Sequence, residues 1–325
     1  MDADDLELFE RTIQHNVAST TGAALDDALH DLGWLDALAD DDQAAVSILF
    51  THQGRAHATS AALDHLLARS LSDGQSAGAE GGMVHPALGT TIPPGHLDGD
   101  QLSVRGLGTS RVTREGTTLI PTAIDDRVIG VEVPTASLIL RTVEGIDPSL
   151  GLIEVTGHVA GDGAGVDAGA APELAWERGV GVAQLAIGHE LIGASRTMLE
   201  QAREHALERV QFGQPISGFQ AIRHRMAETL IAIESAEAVL SGAWEDRSPT
   251  TAAMAKAMAG RAARTSARHC QQVLAGIGFT TEHPLHHSIR RVLVLDELFG
   301  SSRTLTADLG REILATRQLP PLLPL

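Results

Sequence analysis

The sequence predicts an α+β protein that is mostly helical, with a shortened N-terminal helical domain, a small antiparallel β domain and a C-terminal four-helix bundle. Three observations predict it. Apolar residues have helical spacing from residue 6 to about 71, short β-branched runs replace this pattern between residues 101 and 157, and helical spacing returns beyond residue 172. We therefore place the domains at residues 1–100, which include a linker, at 101–160 and at 172–318.

The first two regions differ in period. Leu25, Ala28, Leu29 and Leu32 recur at i, i+3, i+4 and i+7, which places them on one face of a helix. Gly, Pro and Ser dominate residues 75–100, as is typical of a linker. Beyond it, β-rich runs such as 128–133 are separated by turn residues, which indicates about five short strands.

The C-terminal region has the clearest helical pattern. Residues 172–209 predict one long helix, and apolar residues between Phe219 and Trp244 recur at steps of three, four and seven. An Ala-rich helix follows at 250–274, with Cys270, Val273 and Leu274 facing inward. Residues 288–298 and 303–316 complete a bundle of four or five helices.

Composition narrows the class of partner. The chain has 42 Asp and Glu against 24 Lys and Arg, a net charge of −18, which argues against a nucleic acid or an anionic membrane as partner. No run reaches the roughly 18 apolar residues of a membrane helix, and the N-terminus lacks a signal-peptide pattern, so we expect a cytoplasmic protein. The neighbouring histidines His283, His286 and His287 lack metal-ligand spacing, and we expect no metal.

Two segments between helices are more distinctive than a bundle needs. Residues 209–216 read R-V-Q-F-G-Q-P-I, and residues 272–280 read Q-V-L-A-G-I-G-F-T. An Arg at a helix end beside an aromatic ring suits a phosphate next to a flat base, and glycines supply backbone N–H donors. The pattern therefore indicates a nucleotide site. The alternative is a capped helical hairpin followed by a glycine helix cap.

With the flanking F-Q at 219–220 and E-H-P-L-H at 282–286, these segments resemble the C-terminal bundle of acyl-CoA dehydrogenases, in order, spacing and helical context. The resemblance extends from about residue 173 to about 303. It implies that FAD is shared across a subunit interface, with the bundle contributing to the site of a neighbouring chain.

The resemblance also implies individual cofactor contacts. Arg209 would contact the FAD pyrophosphate, Phe212 the adenine end, and Gln272 with the Gly276 backbone the ribose and phosphates. Ser301 falls where the family has a threonine hydroxyl near the flavin. The other expected contacts line the same groove and are Gln211, Ile216, Phe219 and Val273.

The catalytic carboxylate of the family is missing from both of its usual positions. The base that removes the α-proton must be a carboxylate with a raised pKa in a dry pocket. In most relatives it lies about 21 residues after the glycine that matches Gly278, and that position is Phe299. Other relatives place it about 26 residues before the matching arginine, and that position is Ala183. No catalytic residue is therefore expected in this chain, unless Glu190 or Glu297 is a relocated base.

Such a loss resembles the short subunits of actinobacterial heteromeric acyl-CoA dehydrogenases of steroid catabolism. The resemblance implies a longer catalytic subunit as partner in an α2β2 heterotetramer, which supplies the catalytic Glu and binds most of an acyl-CoA substrate derived from a steroid or cholesterol. An electron-transfer flavoprotein is the usual electron acceptor. A self-sufficient dehydrogenase with a relocated base and a non-enzymatic scaffold are the alternatives.

Overall fold

The computed structural model describes residues 3–71, 82–99, 101–112, 116–160, 173 and 175–319. Five helices form the N-terminal region: α1 (Ala3–Ser19), α2 (Ala23–Leu32), α3 (Trp34–Asp40), α4 (Asp42–Ala56) and α5 (Ala62–Leu71). Leu25 and Leu29 are buried, as the helical spacing predicted, whereas Leu32 is only partly buried. Residues 72–81, which belong to the predicted linker, lie outside the described residues.

A six-stranded sheet follows the N-terminal helices. Its strands are β1 (Gly95–Asp98), β2 (Gln101–Gly108), β3 (Thr117–Ile124), β4 (Arg127–Pro134), β5 (Ile139–Thr142) and β6 (Ile153–Ala160), in the order β4-β3-β1-β2-β6-β5. Four of the five neighbouring pairs are antiparallel, and β1 runs parallel to β3 with Gly95 opposite Thr122.

The sheet differs from the prediction in two respects. It has one strand more than the five expected, and it begins at Gly95, before the predicted boundary at residue 101. The extra strand inserts between β2 and β3, a pairing that no local pattern signals. Gly95 is required there because a Cβ would lie 2.3 Å from Oγ1 of Thr122.

The C-terminal helices are α6 (Trp176–Glu208), α7 (Gln220–Asp246), α8 (Pro249–Leu274), α9 (Leu285–Glu297) and α10 (Ser302–Thr316). Their bounds agree with the predicted helices to within a few residues. Capping interactions explain where two of these helices begin. The Ser248 hydroxyl accepts a hydrogen bond from the Thr251 N–H beside a proline at the first helical position, and Ser301 and Thr304 form a capping box.

Helix α6 is the axis of the molecule, since α4 and α5 pack against it from one side and α7, α8 and α9 from the other. The crossing with α4 is close. A Cβ on Gly54 would lie 2.0 Å from the carbonyl oxygen of Glu190, and one on Gly193 would lie 2.0 Å from that of Thr51. The hydrophobic core between the helices extends to some residues of the sheet. A second hydrophobic cluster consists mainly of strand residues. None of the described helices combines the length and apolarity needed to cross a bilayer.

Candidate functional site

Phe299, at the predicted base position, lies in the turn between α9 and α10. Its side chain is 1% exposed, and its backbone adopts the left-handed conformation with φ 53°, followed by Gly300 at φ 91°. A non-glycine residue in this region is strained. The phenyl ring is therefore held inside the protein by its surroundings.

Helix α6 is one of those surroundings. The Gln184 Nε2 group donates to the carbonyl oxygen of Phe299 at 3.0 Å. Ala183, the second base position, is the residue before it and is fully buried. The residue after one predicted base position thus contacts the other position, and neither position carries an ionisable side chain.

The second support is Lys256 on α8, the one lysine in the sequence. Its side chain is fully buried, and Nζ donates to the carbonyl oxygens of Asp296 at 3.0 Å and Gly300 at 3.3 Å, on either side of Phe299. Burial lowers the pKa of Lys256 to about 8. The amine ties the turn to the bundle.

The carboxylates near Phe299 have structural partners. Asp296 is fully buried and accepts hydrogen bonds from Arg264 and from the N–H and hydroxyl of Ser302. Glu297 is paired with Arg264, with 3.0 Å between Oε1 and Nη2. The carboxylates of Asp296 and Glu297 are thus both ion-paired with Arg264.

Residues 85–91, which lie within the predicted linker, pack directly on the Phe299 turn. Gly89 N–H donates to the carbonyl oxygen of Glu297 at 2.7 Å, and the Trp176 indole N–H donates to that of Thr91 at 3.0 Å. The His85 ring centroid lies 5.6 Å from that of Phe299. These contacts join the segment before the sheet to the bundle at the Phe299 turn.

His85 belongs to a buried polar group of its own. Its Nε2 lies 2.7 Å from Oδ1 of Asp64 as an ion-pair contact whose angles are not those of a hydrogen bond. The Thr109 hydroxyl donates to the other carboxylate oxygen of Asp64 at 2.8 Å. Neither residue stood out in the sequence, because the pair joins positions that are 21 residues apart in different elements.

Glu190, the candidate relocated base, lines a cavity of about 190 Å³ beside Leu298. Burial raises the pKa of Glu190, and the neighbouring Arg291 opposes the increase. Nη1 of Arg291 lies 3.1 Å from Oε1 of Glu190, and Nε donates to Asp147 at 2.6 Å. The same guanidinium donates to the carbonyl oxygens of His57 and Ala58, so this arginine fixes the orientation of Glu190.

The predicted cofactor-binding residues lie at the far end of α6. A hairpin of β7 (Val210–Gln211) and β8 (Gln214–Pro215) follows the helix, and Phe212 at its tip is 92% exposed. Its ring meets that of Phe219 edge-on, with 6.1 Å between centroids. The exposed guanidinium of Arg209 makes no hydrogen bond or ion pair with a described residue. An uncovered aromatic beside an unpaired cation suits the adenine and pyrophosphate of a dinucleotide.

The second predicted segment ends α8. Gln272 and Gly276 are exposed, and a Cβ on Gly276 would meet no atom within 4 Å, so its backbone is open to a ligand. Gln211 is also exposed, and Ile216 is partly buried.

The structure places two of the expected contacts away from the hairpin, and both stay predictions. The Val273 side chain is 3% exposed and lies in the core, because it shares the inward face of α8 with Cys270 and Leu274. Ser301 is 5% exposed, and its hydroxyl accepts the Thr304 N–H at 3.1 Å as the cap of α10. Neither side chain is presented at the hairpin surface.

The two ends of α6 are far apart. Arg209 follows Ala183 by 26 residues, which is about 39 Å along a helix at 1.5 Å per residue. One bound dinucleotide cannot therefore join the exposed hairpin to the Phe299 turn of the same chain along this helix. The hairpin residues fit a cofactor whose other half is held elsewhere.

Known proteins resemble this chain in sequence over part of its length. Residues 174–314 match the family model of the acyl-CoA dehydrogenase C-terminal domain. Acyl-CoA dehydrogenase IpdE2 of Mycobacterium tuberculosis is 37% identical over 131 residues, which are 40% of this chain and 41% of that protein. The match thus spans less than half of that curated relative.

Solved structures extend the similarity to the whole fold. A chain of the ChsE4-ChsE5 complex from Mycobacterium tuberculosis superposes with a TM-score of 0.75 at 20% identity, over 99% of this chain and 100% of that one. A variant of the Tcur3481-Tcur3483 steroid ACAD gives 0.70 at 18% identity, over 97% and 99%. Acyl-CoA dehydrogenases are FAD-binding proteins. The chain has the acyl-CoA dehydrogenase fold, and its residues 174–314 match the acyl-CoA dehydrogenase C-terminal domain.

Proposed function

We propose that this chain is the FAD-binding, base-less subunit of a cytoplasmic heteromeric acyl-CoA dehydrogenase. A longer partner supplies the catalytic Glu and most of the binding site for an acyl-CoA thioester. The observation that carries the proposal is the buried phenyl ring of Phe299 at the base position, in a turn fixed by Gln184 and Lys256. A hydrocarbon side chain cannot accept the α-proton.

The division of labour follows from what each end of α6 offers. When bound, FAD accepts the hydride that leaves the β-carbon of the thioester. In this chain the exposed Arg209, Phe212 and Gly276 backbone would hold the ADP half of a flavin that a partner binds by its ring. We propose that this chain has no flavin-ring site of its own, and the hydrogen bond between Gly89 and Glu297 beside Phe299 supports this. One FAD for each pair of unlike chains is expected.

Two similarities support the substrate class and the assembly. Structures similar to this chain include the ChsE4-ChsE5 complex and a variant of a steroid ACAD. We therefore propose a steroid-derived thioester as substrate, an α2β2 heterotetramer as the assembly and an electron-transfer flavoprotein as the electron acceptor. These are assignments by analogy of fold.

The test is co-expression with a candidate longer subunit, followed by measurement of flavin and chain stoichiometry. We expect one FAD per pair of chains in the complex, and neither retained flavin nor dehydrogenation by this chain alone. In the complex, Arg209→Ala should weaken FAD retention at least tenfold. Arg141→Ala, at an exposed arginine on β5, should leave it unchanged. A yellow, active preparation of this chain alone would refute the proposal. Unchanged flavin in the Arg209→Ala complex would favour a scaffold.

One observation favours a self-sufficient enzyme: Glu190 lines a cavity and has a raised pKa. In that case Glu190→Gln should abolish turnover by the isolated chain without unfolding it. Asp147→Asn is the matched control, since it also removes a carboxylate from Arg291 but not one that lines the cavity. Under the heteromeric proposal, neither variant should lower turnover by the folded complex beyond its effect on stability.

A further inference from the structure

A second cavity, of about 330 Å³, lies against the N-terminal part of α6. Val182 and Leu185 line it, whereas Ile187 and Glu190 line the smaller cavity. At 100° per residue the mean directions of these two pairs differ by about 140° around the helix. The larger cavity is also at the far end of α6 from Arg209. It is therefore separate from both parts of the candidate site.

The cavity has an apolar wall. The wall is formed by Leu66 of α5, Leu185 of α6 and the indole of Trp244 near the end of α7. The indole is held in place, because its N–H donates to Nε2 of His189 at 3.0 Å. A rigid apolar wall with a few polar groups at its edge is the usual form of a small-molecule site.

Three arginines stand at the rim. Arg247 donates to both carboxylate oxygens of Asp42, at 2.7 and 2.8 Å, and its guanidinium carbon lies 5.4 Å from the Trp244 ring centroid. Arg178 donates to the carbonyl oxygen of Ser70 at 2.9 and 2.7 Å. Arg69 is half-buried and makes no hydrogen bond or ion pair in the described part of the chain.

Arg69 is the rim cation assigned to an anionic ligand. Asp42 is held by Arg247, whose hydrogen bond lowers the pKa of Asp42, and the charge of Arg69 adds a smaller lowering. A carboxylate matches the planar fork of an arginine, so the Arg69 guanidinium can bind the carboxylate head of a ligand.

Size limits the rest of the ligand. At roughly 30 Å³ for each water-sized group, 330 Å³ holds about eleven such groups. We propose that this cavity binds a medium-chain carboxylate, with its head at Arg69 and its tail along Trp244, Leu66 and Leu185. The proposal does not depend on the heteromeric assembly, because every lining residue belongs to this chain.

The experiment is calorimetric titration of the full-length chain with decanoate below its micellar concentration. Decanol and decylamine serve as probes with the same tail and a different head. We expect one decanoate per chain, with decanol and decylamine at least tenfold weaker. Arg69→Gln should weaken decanoate binding at least tenfold, and Val182→Phe should abolish it by filling the cavity. Arg141→Gln, on the sheet, is the control that should bind as the wild type does.

Two results would overturn the proposal. One is the absence of saturable decanoate binding by the folded wild-type chain. The other is equal affinity in Arg69→Gln and wild type, since the unpaired guanidinium is the group assigned to the head. Circular dichroism of each variant separates lost binding from lost folding, and Arg69→Gln keeps the test decisive if Val182→Phe does not fold.

Discussion

Replacement of Lys256 by Met tests the physical account of the Phe299 turn. The lysine is fully buried, and its burial lowers the pKa to about 8 from the usual 10.5. Below pH 8 the amine carries its proton in both the folded and the unfolded chain. The folded chain then bears the cost of a buried charge, which the hydrogen bonds to Asp296 and Gly300 offset in part.

The sign of the pH effect follows from the depressed pKa. Between pH 8 and 10.5 the folded protein has released the proton and the unfolded chain has not. The unfolded state therefore binds more protons, and stability rises with pH. A difference of 2.5 pKa units at 1.36 kcal/mol each makes the rise about 3 kcal/mol. Lys256→Met lacks this titration, and its stability should not show the rise.

The chain is well suited to this measurement, because it has no tyrosine, one lysine and one cysteine. The cysteine acts in the opposite direction. Burial raises the pKa of Cys270 from 9.0 to about 12, so the unfolded chain loses this proton first and stability falls above pH 9. A Cys270→Ala background removes that contribution from both proteins under comparison.

The assay is urea unfolding followed by circular dichroism between pH 7 and about pH 11. Both proteins carry Cys270→Ala, and one also carries Lys256→Met. At neutral pH the two free energies of unfolding should be similar, since relief of the buried charge offsets the loss of two hydrogen bonds. At the alkaline end the lysine protein should be more stable than the methionine variant, by about 3 kcal/mol beyond their neutral-pH difference. Parallel profiles would refute the assignment of a depressed lysine pKa.

Four further substitutions test other parts of the structure. Phe299→Glu should lower stability by about 3–5 kcal/mol in urea unfolding, because it buries a carboxylate in an apolar site. It should give the isolated chain no dehydrogenase activity, and turnover by this variant would contradict the proposal that the chain has no flavin-ring site of its own. Gly193→Ala should reduce the melting temperature strongly, since its Cβ would lie 2.0 Å from the Thr51 carbonyl oxygen. Gly276→Ala places its Cβ in open space, so it should leave the melting temperature unchanged. In the complex it should weaken FAD retention. Arg291→Met should cost about 3–5 kcal/mol by leaving buried carboxylates unpaired, and a loss under 1 kcal/mol would show that the pairs contribute little.

Much of the helical architecture could be predicted because its signals are local. The start of α8 at Pro249 follows from a serine cap and a proline, and the apolar spacing of α7 follows from one buried face. Phe299 was assigned to the base position by counting residues from a motif, and this assignment stays a prediction. The parallel pairing of β1 with β3 could not be predicted, because strand order depends on contacts between distant segments.

The site was predicted less completely, for reasons visible in single residues. Val273 lies within the motif at residues 272–280. The helical period that places Cys270 and Leu274 in the core also places Val273 there, so the periodicity predicts that its side chain is buried. The hydrogen bonds of Lys256 and Gln184 end on backbone carbonyls, and no side-chain pattern marks the acceptor. A lone lysine in an Ala-rich helix was the available signal.

The position of that lysine also determines how an assembly of this protein can be mapped. Reagents that couple to lysine need an accessible, unprotonated side-chain amine, and the one lysine amine of this chain is fully buried. A lysine-to-lysine cross-linking experiment on a complex would therefore find no accessible lysine on this subunit. Carboxylate-directed or arginine-directed reagents would be needed, for which its 42 acidic side chains and numerous guanidinium groups provide dense coverage.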